Sequence, residues 1–388
     1  MKNWKWEQKF AASLLSVLFL LAVAFARDES VQASTPSEAQ SLERQGKLTE
    51  AAEAWRSVVR KDPRDAAAFA SLGVVLSKEQ KYTDAAAAYK KALSLNPKLP
   101  GVQLNLGLAE FKQGNFGAAI APLRAASLAN PHNVQASTLL GLSYYGAKRF
   151  AEASKYLEAP AKADPSNTEL QEVLAQSCLL AKKYACALDE FEQIQRRNPE
   201  SAAAHMLSGE ALDGLGRTPE AIAEFQAAAK VSPRESNVHF GLGYLYWKSH
   251  QYDEAKREFE SEVAIDPNHA LSLAYLGDIE MKRNNPEQAI VLLKRAVSLS
   301  GDIRIAYVDL GAVLTQQKQY DEAIAALQRA VDLDPKLPDA HYRLGRAYQA
   351  MGKVVESNKE FGKVRELHEK ADEPLASKIS AAPPPVPQ

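Results

Sequence analysis

Prolines recur at Pro63, Pro97, Pro131, Pro165, Pro199, Pro233 and Pro267, each 34 residues after the last, and the series resumes in phase at Pro335. Gly301 stands at the one missing beat. Seven of these eight prolines follow Asp or Asn, and the eighth follows Ser232. A short polar side chain bonds nearby backbone and proline cannot extend a helix, so each pair predicts a helix end. A fixed period of this length demands stacked supersecondary units that bury their apolar faces against their neighbours. The 388 residues would suffice for two or three ordinary domains, but nothing divides the chain that way.

Two further columns keep the same beat. Gly73, Gly107, Gly141, Gly209, Gly243, Gly277, Gly311 and Gly345 form one, and most follow a leucine such as Leu72 or Leu106. Ala51, Ala85, Ala119, Ala153, Ala187, Ala221, Ala255, Ala289 and Ala323 form the other, 12 residues beyond each glycine position. This spacing predicts a helix, a tight turn and a second, antiparallel helix, with glycine and alanine facing each other where the backbones cross. Large residues four past each alanine, such as Trp55, Tyr89, Phe191, Phe225 and Phe259, are expected to fill the space beside that contact.

The period, the Leu-Gly pair, the alanine twelve on, the aromatic four later and the closing proline together resemble the tetratricopeptide repeat. Phe69, Leu72-Gly73, Leu76, Tyr82, Ala85, Tyr89, Ala92 and Pro97 state the pattern in full. Ten units follow without insertion over residues 34–371, at 34–65, 66–99, 100–133, 134–167, 168–201, 202–235, 236–269, 270–303, 304–337 and 338–371. The resemblance implies an all-α fold, an α-solenoid: a right-handed superhelix of hairpins in which the first helix of each repeat lines a concave groove.

The ends and the departures add detail. Thr35-Pro36-Ser37-Glu38 reads as a capping box with proline at the first helical position, so the first helix is expected to start late and be short. Thr218-Pro219 and Asn285-Pro286 read as starts of second helices. Pro160 stands where a small residue belongs inside a second helix and is expected to kink or shorten it, as an irregularity on an exposed side or as a hinge. Glu262 holds the matching position three repeats later.

The amino terminus reads as a targeting segment. Lys2, Lys5 and Lys9 precede an uncharged apolar run, residues 10–26, that ends in Ala24-Phe25-Ala26. Residues 1–26 are therefore either a cleaved signal peptide or a membrane anchor, with 27–33 a short linker. The chain is accordingly expected to be exported, periplasmic or secreted, or else tethered to a membrane by residues 10–26. Beyond residue 371 a proline-rich tail, 372–388, carries no repeat pattern and is expected to be disordered or polyproline II.

The sequence carries no catalytic constellation. There is no phosphate loop or nucleophile elbow, so no catalytic and no cofactor-binding residue is expected. His205, His239 and His341 hold the fourth position of their repeats. With no carboxylate or thiol at matching spacing they read as packing residues, not as metal ligands. A formal net charge of −1 argues against the broad basic face that nonspecific nucleic-acid binding requires. Cys178 and Cys186 flank the turn of the fifth repeat, either as a disulfide in an oxidising compartment or as two buried thiols.

Function then falls to the groove, at positions five, nine and twelve of each first helix. Leu104, Leu108, Phe111, Leu142 and Tyr145 hold such positions in the earlier repeats, with Val74 and Thr138. Met206, Phe240, Tyr244, Trp247 and Met281 hold them later, interrupted by Glu210, Asp213 and Asp278. Some members of the resembled family clamp a terminal carboxylate with Lys and Asn at positions five and nine. Here those positions hold Leu104 and Leu108, or Phe240 and Tyr244, so no such clamp is expected. An apolar, aromatic groove with acidic islands fits extended or helical segments of other proteins, with Phe240, Tyr244 and Trp247 as anchors. Aromatic faces also stack on sugars, which keeps a carbohydrate-binding accessory as the alternative.

Overall fold

The computed structural model describes residues 34–372, which carry twenty helices and no strand. They fall into two compact units that divide between Ala181 and Lys182. The first unit comprises α1 (Pro36–Arg44), α2 (Leu48–Lys61), α3 (Ala66–Lys78), α4 (Tyr82–Leu95), α5 (Val102–Lys112), α6 (Phe116–Ala129), α7 (Val134–Gly146), α8 (Phe150–Ala163) and α9 (Thr168–Leu180). The second comprises α10 (Tyr184–Arg197), α11 (Ala202–Gly214), α12 (Thr218–Val231), α13 (Val238–Lys248), α14 (Tyr252–Ile265), α15 (Ala270–Lys282), α16 (Pro286–Leu299), α17 (Arg304–Gln316), α18 (Tyr320–Leu333), α19 (Pro338–Ala350) and α20 (Val354–Asp372). The apolar run 10–26, the linker 27–33 and the proline-rich stretch beyond Asp372 lie outside the described residues. No described helix is long and apolar enough to cross a membrane.

Both kinds of turn follow from local chemistry. At the proline turns the Asx side chain accepts from the amide two residues on, as Asp62 does from Arg64 at 3.0 Å and Asp266 from Asn268 at 2.9 Å. A second short polar residue then caps the next helix: Asp65 accepts from Ala68 N–H at 2.9 Å and Asn133 from Ala136 N–H at 2.9 Å. Thr35 caps the nine-residue α1 in the same way, accepting from Glu38 N–H at 3.3 Å. Within each hairpin the first helix ends at a left-handed residue, Gly46, Gly114, Gly216 or Gly352 in four repeats. Gln80, Lys148, Lys182, His250, Asn284 and Lys318 adopt it in the other six, at φ between 58° and 62°.

Packing inside the hairpin differs in one respect from the face-to-face glycine and alanine that the spacing suggests. The space beside each glycine is filled by the large side chain four past the alanine. A Cβ on Gly73 would lie 2.5 Å from the Tyr89 ring, and one on Gly243 would lie 2.8 Å from Phe259. The columnar alanines Ala85 and Ala255 are fully buried alongside. In the first unit this yields a continuous core from Ala39 through Trp55, Leu72 and Tyr89 to Leu106.

Two sequence expectations are corrected. Pro160 neither shortens its helix nor lies on an exposed side: α8 has 14 residues, as α4 and α6 do, and Pro160 is buried near its end. There the ring forfeits a single backbone bond in the last turn. Pro122 is also buried, but in the middle of α6, a departure the repeat pattern does not flag. Glu262, the other departure at this position, is also fully buried.

Candidate functional site

In the second unit, α11, α13 and α15 present their ninth positions as one register: Glu210, Tyr244 and Asp278. Position twelve adds Asp213, Trp247 and Met281, and position five adds Met206, Phe240 and Ala274. An aromatic ridge on α13 is thus flanked by carboxylates from the helices on either side. Between α11 and α13 lies a cleft of about 400 Å³, lined by Met206, Glu210, Asp213, Phe240, Tyr244 and Leu245 among others. Phe225, Asn237 and Gly241 complete its lining.

The ridge is held rigid from behind by Tyr275 on α15. That ring stacks on Phe259 with centroids 5.3 Å apart and meets Trp247 edge-on at 4.9 Å. It also touches Tyr244 at 5.8 Å and Phe240 at 6.0 Å. Burial, with Tyr244 and Asp278 close by, pushes its hydroxyl up to about 12. Trp247 lies nearly parallel to Tyr244 at 6.1 Å and donates its indole N–H to Asp278 Oδ2 at 2.6 Å. Lys282 Nζ donates to the other oxygen of Asp278 at 2.6 Å.

The carboxylates differ in their surroundings. Asp213 pairs with Lys248 at 2.7 Å, and Asp278 is satisfied by Lys282 and Trp247. Glu210 is exposed at the cleft with no ion pair or hydrogen bond among the described residues, and partial desolvation holds its carboxyl above the usual range. Asp309 on α17 is buried at 6% exposure, with Oδ2 unpaired. Burial and the nearby Asp278 push its carboxyl up to about 7.

Glu262 and His269 set the start of α13. Its first residue follows Asn237, which is left-handed at φ 67° and offers no side-chain cap. The buried Glu262 on α14 reaches across, accepting from Asn237 N–H at 2.9 Å and Phe240 N–H at 3.1 Å. His269 Nδ1 accepts from Ser272 N–H at 3.1 Å, and its Nε2 donates to Asn237 Oδ1 at 3.0 Å. The His269 ring also packs 5.1 Å from Phe240.

The sequence-predicted residues divide between the units. Met206, Phe240 and Tyr244 line the cleft together, while Trp247 packs behind it. Leu104, Leu108, Phe111, Leu142 and Tyr145 lie half-buried on α5 and α7 of the first unit. There Tyr145 donates to Gln176 at 2.6 Å and Phe111 meets Phe116 edge-on at 5.5 Å. Cys178 is buried late in α9 and Cys186 is half-buried in the first turn of α10.

The histidines correct an expectation. His205, His239 and His341 each have a carboxylate partner 19 residues on: Nδ1 lies 2.7, 2.7 and 2.6 Å from Glu224, Glu258 and Glu360. Each Nε2 donates to the carbonyl of the preceding turn proline, Pro199, Pro233 or Pro335, at 3.1, 3.0 and 3.3 Å. Arg295 and Arg329 take the same role toward the carbonyls of Pro267 and Gly301. Histidine and glutamate sit on different helices and meet only across the hairpin, so no local spacing pairs them. Among the described residues no group of three or more His, Cys, Asp and Glu is placed to hold a metal ion.

The tetratricopeptide repeat model matches residues 37–100, 104–168, 138–195, 173–237 and 240–302, and related repeat models match 311–352 and 339–371. The chain belongs to the tetratricopeptide repeat family. No curated protein sequence matches it. Among solved tetratricopeptide structures, a chain of the APC/C hetero-tetramer Cut9-Hcn1 superposes with TM-score 0.51 at 16% identity, over 88% of this chain and 74% of that one. Yeast Tom70 aligns at TM-score 0.41 and 15% identity over 89% and 93% of the two chains. YrrB, described as having an unusual peptide-binding site, aligns at 0.39 and 23% over 50% and 98%. The likeness at these identities is one of fold, an all-α solenoid of helical hairpins.

Proposed function

We propose that this chain is an exported interaction scaffold or assembly factor that holds segments of partner proteins in the grooves of its tetratricopeptide units. The observation that carries the reading is the cleft of about 400 Å³ between α11 and α13, with Met206, Phe240 and Tyr244 on its walls. Apolar clefts with a few convergent polar groups are the usual places for a ligand side chain to lodge. Export is supported by the lysine-flanked apolar run 10–26 and its Ala24-Phe25-Ala26 ending. A role in binding, with no catalytic step, fits the groove. The carbohydrate alternative has less support, because Trp247 and Tyr275 spend their faces and edges on neighbouring rings.

A photo-crosslinking residue placed at Met206 or Tyr244 in the native cell tests this reading. Crosslinked partner segments should appear from both positions and should be absent from Val291 on α16, which is 63% exposed outside the cleft. Equal crosslinking from all three positions would overturn it.

A further inference from the structure

We infer that the cleft between α11 and α13 selects a basic side chain, an arginine or lysine of the bound segment, with its apolar stem on Phe240, Tyr244 and Met206 and its cationic head on Glu210. The inference rests on the groove reading above and names what the groove prefers.

Three carboxylates reach this part of the register, and two are neutralised from within. Asp213 has Lys248 at 2.7 Å, and Asp278 has Lys282 and the Trp247 indole, each at 2.6 Å. Glu210 alone among the three has no hydrogen bond or ion pair, although it lines the same cleft as Phe240 and Tyr244. Glu210 is exposed at the cleft and unpaired, so a cation brought by a ligand meets a free charge-assisted acceptor there.

The walls suit the rest of such a side chain. Lys and Arg carry apolar stems that lie along hydrophobic surface while the charged head seeks a polar partner. Tyr244 lines the same cleft as Glu210, and a cation over its aromatic face would gain further attraction. The protein already uses this arrangement one helix on, where Lys282 Nζ lies 6.0 Å from the Trp247 ring centre and 2.6 Å from Asp278. At the α11–α13 cleft the lysine of the matching position, Lys248, is spent on Asp213 at 2.7 Å, which leaves Glu210 for a cation of the ligand. An acidic side chain in the ligand would instead meet both Glu210 and Asp213.

Three oriented libraries of labelled nonapeptides test the inference, with randomised flanks and a fixed central arginine, citrulline or glutamate. Binding to the full chain is followed by fluorescence anisotropy. The arginine library should bind about tenfold tighter than the citrulline library, since one charge-assisted hydrogen bond contributes about 1.5 kcal/mol. The glutamate library should bind most weakly. Glu210→Gln should erase the arginine advantage and leave citrulline binding unchanged. Equal binding of arginine and citrulline libraries, both weakened by Tyr244→Ala, would overturn basic selection and leave the groove reading standing. No binding of any library to a chain that is helical by circular dichroism would overturn both.

Discussion

The buried carboxylate of Glu262 accepts from the backbone N–H of Phe240 at 3.1 Å, so a residue of one helix fixes where the next-door helix begins. Its other oxygen takes the Asn237 N–H at 2.9 Å. A helix start leaves its first amides without partners, and here no local side chain serves them. The cap comes instead from 22 residues downstream in sequence, through the hairpin packing that brings α14 against α13.

Glu262→Ala should therefore destabilise the second unit by about 1–2 kcal/mol, since two helix-start amides lose their side-chain acceptor. Glu262→Gln should recover about half of that loss. Chemical denaturation followed by circular dichroism measures both. Peptide affinity at the cleft should fall with Glu262→Ala, because Phe240 sits on the turn that the carboxylate anchors.

Asp309 gives the protein a pH dependence. Its carboxyl is raised to about 7 by burial, then by Asp278, against the opposing pull of Arg343 and Lys282 and the smaller push of Asp339. Between about pH 4 and pH 7 the folded chain keeps a proton that the unfolded chain has released, so stability falls as pH rises through that window. Above it the cost is fully present. Asp309→Asn should flatten the profile and raise stability at pH 8 by roughly 2 kcal/mol. Melting temperatures of both proteins from pH 4 to pH 8 decide the matter, and parallel profiles would sink the claim.

The left-handed turn residues invite stabilisation. Gln80 is exposed at φ 60°, where a side chain is disfavoured, and the equivalent position is glycine in four repeats. Gln80→Gly should stabilise the first unit by about 0.5–1 kcal/mol, and Gly216→Ala should destabilise the second by a similar amount. Urea midpoints of the two variants should shift in opposite directions.

Cys178 and Cys186 are the two cysteines of the chain and stand eight residues apart, on either side of a helical turn. In protein purified from an oxidising compartment we expect no thiol to titrate in denaturant without reductant, and two after reduction. Two free thiols before reduction would reject the pairing.

The repeat architecture was legible in the sequence because its signals are local. An Asx-Pro turn, a left-handed hairpin residue and a glycine facing a ring each depend on residues within one 34-residue unit. The cleft was legible in part, since Met206, Phe240 and Tyr244 follow from register alone. Tyr275 was missed because it holds position six, which the groove pattern does not sample, and its contacts with four rings exist only when α13 and α15 pack. Glu262 was noticed as a departure but not as a cap, because nothing in a linear spacing says that a helix start 22 residues earlier lacks one.

The contacts that close each hairpin have both ends inside one 34-residue block: Gly73 with Tyr89, Gly243 with Phe259, His239 with Glu258. Duplicating or deleting a whole 34-residue block would carry such pairs along intact, so array length is free to drift between lineages at little energetic penalty. The cleft is different, since Met206 and Glu210 belong to one block and Phe240 and Tyr244 to the next. Recombination between those two blocks would leave a sound solenoid that has forgotten its ligand.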